Sequence, residues 1–242
     1  MTLHARPAAY PAQDQLVWKI LFDRQHALLH RRAAPAFCQG LERLGLGRNT
    51  IPDLAELSAE VQQASGWRLL PYGQPVGQGL FFELLARRQF PVVTRLRAMR
   101  DFDFSPAPDL FHDLFGHVPL LLDPGFADFL QQLGLAAQAL APADALGRQQ
   151  LWALYFFTAE FGLVLHEGQP RLYGAGLLSS AGEIHHCVDE GTPRRAFVLR
   201  EVLRTTVRDT RFQDQYFVLP DLAVLADCVA ELRSVDAWRL AA

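Results

Sequence analysis

The chain has 242 residues, 50% of them hydrophobic, which is enough for one sizeable core and too short for two comfortable domains with separate functions. Its net charge is −3 with no run or stripe of Lys and Arg, which excludes a basic nucleic-acid-binding surface as its organising feature. The three cysteines, Cys38, Cys187 and Cys228, are odd in number and far apart, so packed, reduced thiols are expected rather than a disulfide framework.

Residues 1–13 are rich in Pro and Ala and are expected to form a mobile lead-in to one domain spanning 14–242. Met1 to Tyr10 lack the charged start and apolar run of a signal peptide. From Asp14 to Leu46 apolar residues recur at helical intervals, with a break at Pro35 and stops at Gly45 and Gly47. A further helix is predicted over 52–64, followed by the short stretches Trp67–Pro71 and Gln74–Gly79. Phe81 to Pro91 reads as a helix whose Arg87 and Arg88 suit its C-terminal dipole. A charge cluster follows, with Arg95, Arg97 and Arg100 ahead of Asp101, Asp103 and Asp109.

The most informative stretch is Pro108-Asp-Leu-Phe-His-Asp-Leu-Phe-Gly-His-Val-Pro119. On a continuing α-helix His112 and His117 would point about 140° apart. Gly116 and Pro119 suggest that the helix ends there, which lets His117 swing back toward His112. Two unrelated histidines are the alternative. Glu160 weighs against it, because it lies in the apolar segment Leu151–Leu165, where a buried carboxylate costs several kcal/mol unless a positive group compensates it. A cation held by His112 and His117 would do so. Two imidazoles and one carboxylate match the facial triad of non-haem Fe(II) oxygenases, whereas the His-Glu-x-x-His spacing of many zinc hydrolases is absent.

Helical spacing puts Phe156 on the face of Glu160, so it is expected to help wall the site. Phe126 to Ala139 reads as an amphipathic helix, and Phe212 to Leu219 as a strand entering a last helix over 220–238. His185 and His186 are adjacent and point in different directions on a helix, so they are not expected to be ligands; Glu183 is expected to make a structural contact. The Leu151–Leu165 segment is shorter than the ~20 residues that span a bilayer. A soluble, cytoplasmic protein with neither membrane nor nucleic-acid partner is expected.

Three blocks, Pro108 to Leu120, Tyr155 to Leu163 and Tyr173 to Ser180, occur in an order that resembles the catalytic domain of the pterin-dependent aromatic amino acid hydroxylases, with weaker similarity from about Gln25 to about Arg233. The resemblance implies a mainly α catalytic domain with a few short strands. It implies Fe(II), molecular oxygen and a tetrahydropterin (tetrahydrobiopterin or a relative) acting on the ring of a free aromatic amino acid. His112, His117 and Glu160 then become the iron ligands. Arg97 takes the place of the carboxylate-binding arginine, Asp109 orients it, and Ser105 stands where the family has threonine beside the substrate. Pro108, Phe156, Phe161 and Gly176 fall on the substrate side, and Ser179 beside an iron-bound histidine. Val76, Phe81, Asp113 and Tyr155 fall on the pterin side.

Two departures are visible. The loop Gln74–Gly79 differs from the family's usual residues, and Ala107 replaces the glutamate that commonly precedes Pro-Asp. Phenylalanine is the first expected substrate. Tryptophan is the alternative, because Phe156 resembles tryptophan hydroxylases where phenylalanine and tyrosine hydroxylases usually carry tryptophan. A zinc hydrolase or an inactive binding protein is a remote alternative. The family's animal members add a regulatory domain and a tetramerisation helix that do not appear here, so a bacterial-type monomer is expected.

Overall fold

The computed structural model describes residues 10–103, 105, 107–208 and 210–233. The lead-in expected at 1–13 falls largely outside them, as does the end of the helix expected over 220–238. Among the described residues the chain is mainly α. Helix α1 (Ala12–Leu29) is followed by α2 (Pro35–Arg43), with Pro35 in the first turn, where its missing N–H costs nothing. Helix α3 (Leu54–Ser65) starts from Asp53, whose carboxylate accepts the Ala55 and Glu56 N–H groups, and stops at Gly66, which adopts φ 78°.

Strand β1 (Arg68–Tyr72) leads through the 74–77 loop to α4 (Gln78–Ala86), and β2 (Gln89–Val93) pairs with β1 in parallel. The helix expected over Phe81–Pro91 is therefore shorter at its end. Arg88 takes a left-handed φ of 53°, fixed by its bonds to Ser65 O and Gln131 Oε1, and Pro91 favours extended backbone at Phe90. The turn from α4 into β2 brings Phe90 against His117, with ring centroids 4.9 Å apart.

The histidine turn and a 3-10 turn (Val118–Leu122) precede α5 (Pro124–Ala139) and α6 (Ala145–Tyr155). Then come β3 (Leu163–His166), β4 (Gln169–Leu172), the single turn α7 (Ala175–Leu178), α8 (Ala181–Val188), β5 (Arg194–Ala196), α9 (Leu199–Arg204), β6 (Tyr216–Leu219) and α10 (Val224–Arg233). The strands form a sheet of order β4-β3-β6-β5, antiparallel only between β3 and β4. The strand expected from Phe212 begins instead at Tyr216.

The core lies behind the histidine turn. Phe111 and Phe115 stack with centroids 4.7 Å apart, and α1 and α2 set Trp18, Phe22 and Phe37 edge-on against them. One face of the turn is thus buried in aromatic carbon while the other carries the histidines. Cys187 and Cys228 are buried free thiols, whereas Cys38 is an exposed one rather than a packed one. No helix among the described residues is long and apolar enough to cross a membrane.

Candidate metal and substrate site

His112 to His117 form one turn of π-helix, in which the Val118 N–H donates to Asp113 O five residues back. Bonds reaching i+5 bring residues five apart onto the same side of the turn, so most of the α-helical divergence is removed. The two Nε2 atoms stand 3.1 Å apart. The helix break expected at Gly116 and Pro119 does not occur, since the chain passes directly into the 3-10 turn with Pro119 in its first positions. Gly116 serves a different purpose: a Cβ there would lie 2.9 Å from Ala175 Cβ, so only glycine lets α7 sit against the turn.

Glu160 is presented in the same way. After Tyr155 the backbone changes from α to π over Phe156–Glu160, and the Phe161 N–H donates to Phe156 O at 2.9 Å. Thr158 Oγ1 donates to Leu154 O at 2.5 Å and competes for the carbonyls of the last α turn. The residue brought over Glu160 is therefore Tyr155, five positions back, and its hydroxyl donates to Glu160 Oε1 at 2.7 Å. Phe156, expected on that face, instead packs on Phe161 with centroids 4.7 Å apart and still lines the cleft.

Glu160 Oε1 lies 3.1 Å from His117 Nε2, and Oε2 lies 3.4 Å from His112 Nε2. Burial works to raise the Glu160 pKa, but the two imidazoles hold it well below the usual carboxylate range. Burial works to lower that of His112 and Glu160 reverses it, so His112 is raised; at His117 burial prevails and the pKa is lowered. The Ser179 hydroxyl donates to Ala175 O at 2.8 Å, so its contact at 2.9 Å with His112 Nδ1 must be accepted from Nδ1–H. That selects the His112 tautomer whose Nε2 lone pair faces Glu160.

These distances suit a divalent ion. Ligand atoms about 2.1 Å from a common metal are about 3.0 Å apart at right angles and about 3.4 Å apart at a tetrahedral angle. The two Nε2 atoms, 3.1 Å apart, and Glu160 Oε1, 3.1 Å from His117 Nε2, fall in that interval, and the other carboxylate oxygen, Oε2, lies 3.4 Å from His112 Nε2. A second carboxylate, Asp113, lies within 4.8 Å of the histidine nitrogens, and burial raises its pKa to about 7. Its Oδ2 accepts the Val93 N–H at 2.6 Å. Ser179→Ala is expected to weaken metal binding about 10- to 100-fold by freeing the His112 ring, which metal titration of the apoprotein measures.

The cleft over these groups has a volume of about 530 Å³ and is lined by Val76, Phe81, Arg97, Ser105, Pro108, Asp113, Tyr155, Phe156, Phe161, Gly176 and Ser179 as well as the three ligand candidates. Asp109 lies behind Arg97, buried. Its carboxylate accepts Arg97 Nε at 2.9 Å, NH2 at 2.7 Å and the Arg97 backbone N–H at 2.8 Å, while Arg97 NH1 donates to Ser179 O at 3.1 Å. Three of the five guanidinium N–H groups are thus used, which leaves one on each terminal nitrogen for a carboxylate. Ser105 Oγ donates to Ala107 O at 2.6 Å, and Asp103 O, two residues earlier, accepts Ser180 Oγ and the Gly182 N–H. These bonds tie down the strap that carries Ser105 and Pro108. A Cβ at Gly176 would lie 2.6 Å from Phe161 Cζ, so glycine keeps that ring against the wall.

Phe81 is half-buried, with the rings of Tyr155 and Phe90 edge-on to it at 4.9 and 6.3 Å. Trp152, which also lines the cleft and stacks on Tyr155 at 5.4 Å, was not singled out from the sequence, although it lies one turn before Tyr155 and Phe156. Tyr72, Glu183, Arg208 and Gln213 also border the cleft, and no local pattern marks them. His185 and His186 do not line it; His186 Nε2 is 2.9 Å from Gln213 O.

The mainly helical fold, the paired π turns and the histidine-histidine-carboxylate set within an aromatic cleft define a metal-dependent enzyme that accommodates an aromatic amino acid. The family model for biopterin-dependent aromatic amino acid hydroxylases matches residues 6–235, and the chain belongs to that family. It is 40% identical over 225 residues to the phenylalanine-4-hydroxylase of Chromobacterium violaceum, covering 91% of this chain and 74% of the relative. A structure of C. violaceum phenylalanine hydroxylase with bound iron(III) and oxidised cofactor 7,8-dihydrobiopterin superposes with a TM-score of 0.87 at 38% identity, covering 96% of this chain and 89% of that one. The phenylalanine hydroxylase of Legionella pneumophila gives 0.91 at 34% identity, covering 99% and 96%.

Proposed function

We infer that this protein is an iron- and tetrahydropterin-dependent monooxygenase that converts phenylalanine to tyrosine. The observation that carries the reading is the convergence of His112 Nε2, His117 Nε2 and the Glu160 carboxylate in a cleft that also holds Arg97 with two N–H groups to spare. His112, His117 and Glu160 would hold the iron, and Val76, Phe81, Asp113 and Tyr155 would border the tetrahydropterin; when bound, the two would supply the activation of molecular oxygen.

The chain's own residues bind, orient and exclude water. Arg97, held rigid by Asp109, receives the substrate carboxylate on its outer edge, and the strap with Ser105 and Pro108 closes one side. Phe156, Phe161 and Gly176 form the wall against which the aromatic ring lies, so that its position is set by contact on one end and by charge on the other. Tyr155 keeps the Glu160 carboxylate oriented through its hydroxyl, and Ser179 does the same for the His112 ring while its carbonyl positions Arg97. Asp113 borders the cleft beside the histidines, held by the Val93 N–H on its Oδ2.

Phe156 is the one feature that favours a second reading, tryptophan to 5-hydroxytryptophan, because a single ring at that wall leaves more room than an indole. An equimolar competition decides between them. Iron-loaded protein receives phenylalanine, tryptophan and a tetrahydropterin in air, and products are resolved by mass spectrometry. Tyrosine is expected to dominate. A majority of 5-hydroxytryptophan would transfer the assignment to tryptophan, and absence of both products with iron bound would overturn it.

A further inference from the structure

Among the described residues three carboxylates border the cleft: Asp113, Glu160 and Glu183. The first two belong to the histidine side, one within 4.8 Å of the ring nitrogens and the other in contact with them. Glu183 is on the first turn of α8, four residues from Ser179, whose carbonyl receives Arg97. It is 2% exposed. Ser180 caps α8 by accepting the Glu183 N–H, and in a closed capping box the Glu183 side chain would turn back toward the Ser180 N–H. Instead its Oε1 accepts the Tyr216 hydroxyl at 2.6 Å and the Gln213 N–H at 3.2 Å. Both bonds use one oxygen, and no Arg or Lys among the described residues pairs with the carboxylate.

Beside it stands a second acceptor. Gln213 is 2% exposed and lines the cleft, its Nε2 donates to Arg208 O at 2.5 Å, and its Oε1 has no hydrogen-bond partner among the described residues. The donation by Nε2 fixes the amide orientation, so the unpartnered atom is the oxygen. A buried acceptor left without a donor costs on the order of 1–3 kcal/mol, and a buried carboxylate without a cation costs more. Both deficits are removed by one donor-rich cation.

The geometry points to Glu183 and Gln213 as the subsite that receives the α-ammonium group of the amino acid substrate. This rests on the reading of the cleft as an amino acid site, with Arg97 as the carboxylate anchor. A zwitterion held by Arg97 carries its ammonium on the carbon next to the anchored carboxylate, and the Ser179–Ser180 backbone runs from that anchor into the turn that bears Glu183. Burial works to raise the Glu183 pKa, with Tyr216 and Gln213 opposing it, and an ammonium beside it adds a further opposing charge. The subsite gives the cleft a reason to prefer α-amino acids over aromatic acids of the same shape.

Calorimetry with iron-loaded protein tests this with phenylalanine and with 3-phenylpropanoate, which keeps the ring and carboxylate but lacks the ammonium. Wild type is expected to bind phenylalanine about tenfold or more tightly than 3-phenylpropanoate, the size of one charge-assisted hydrogen bond. Glu183→Gln, which retains an acceptor for Tyr216, is expected to erase most of that preference while leaving 3-phenylpropanoate affinity within about twofold. Equal binding of the two ligands by wild type overturns the subsite, and so does a Glu183→Gln protein that loses both affinities alike, the mark of a merely structural role. Binding of neither ligand by wild type overturns the underlying substrate reading instead. If Glu183→Gln does not fold, Gln213→Met is read by the same two affinities, and the wild-type comparison stands without any variant.

Discussion

Arg97→Met is expected to lower the melting temperature at neutral pH by about 6–20 °C, because it leaves the Asp109 carboxylate buried without its counter-charge. Asp109 is 4% exposed and its oxygens accept four hydrogen bonds, three from Arg97 and one from the His112 N–H. Breaking a buried pair by removing one partner costs about 3–5 kcal/mol, and for a chain of this size each kcal/mol corresponds to about 2–4 °C. In the wild type burial works to raise the Asp109 pKa, but Arg97 and the hydrogen bonds outweigh it and the pKa is lowered. A lowered carboxylate pKa contributes stability that is present above the unfolded-state value and is lost as pH falls through the folded value. In Arg97→Met the desolvation remains and the opposing charge is gone, so the folded-state pKa lies above the unfolded one. The variant's penalty is then full at neutral pH and shrinks as acid protonates Asp109.

The gap between wild type and variant should therefore narrow from about pH 7 to about pH 5, the range above the ordinary carboxylate pKa. Thermal denaturation at both pH values measures it, and a gap that stays constant or widens in acid contradicts the account. Because the same arginine is the proposed carboxylate anchor, kcat/KM for phenylalanine should fall roughly 100-fold or more in the protein that remains folded.

The elements that place the site were unevenly legible. Periodicity located α1, α2, α3 and α5 within a few residues, since Pro35 and the apolar faces act locally, while the Asp53 cap of α3 appears only in the structure. The Arg-rich end of α4 read as a continuing helix because Arg87 and Arg88 suit a helix C-terminus, yet Pro91 and the left-handed Arg88 turn the chain into a strand held by tertiary pairing to β1. The chemical identity of His112, His117 and Glu160 was legible from residue type and from the cost of a carboxylate in an apolar segment. Their backbone presentation was not. A π turn arises where packing and side-chain bonds such as Thr158 to Leu154 shift the carbonyl ladder by one residue, and nothing in a 3.6-residue periodicity signals that shift. The consequence is the exchange of Tyr155 for Phe156 as the partner of Glu160. Glu183 and Gln213, 30 positions apart, meet only because α8 packs near the start of β6, so the sequence alone leaves them as ordinary polar residues.

Glu160→Ala is expected to abolish the stabilisation that added metal confers. In the wild type a metal ion at 100 times its Kd raises stability by about 2.7 kcal/mol, or about 5–11 °C for a chain of this size. Without Glu160 two imidazoles remain, the nearby Asp113 carboxylate already accepts the Val93 N–H, and much of the charge that balances a divalent cation in this buried turn is lost. Affinity should fall at least about 100-fold, beyond the range for loss of an orienting partner such as Ser179, so the same metal concentration gives a shift of about 3 °C or less. The apoprotein itself changes less than the Arg97 variant. Glu160 has a 13% exposed side chain, and its removal leaves behind imidazoles that can remain neutral rather than an obligatory buried charge. Differential scanning of both proteins with and without Fe(II) under anaerobic conditions separates the two effects. An unchanged metal-induced shift in Glu160→Ala would mean that the ion is held elsewhere. Loss of the shift with retention of the apo melting temperature identifies the carboxylate as a ligand rather than a structural contact.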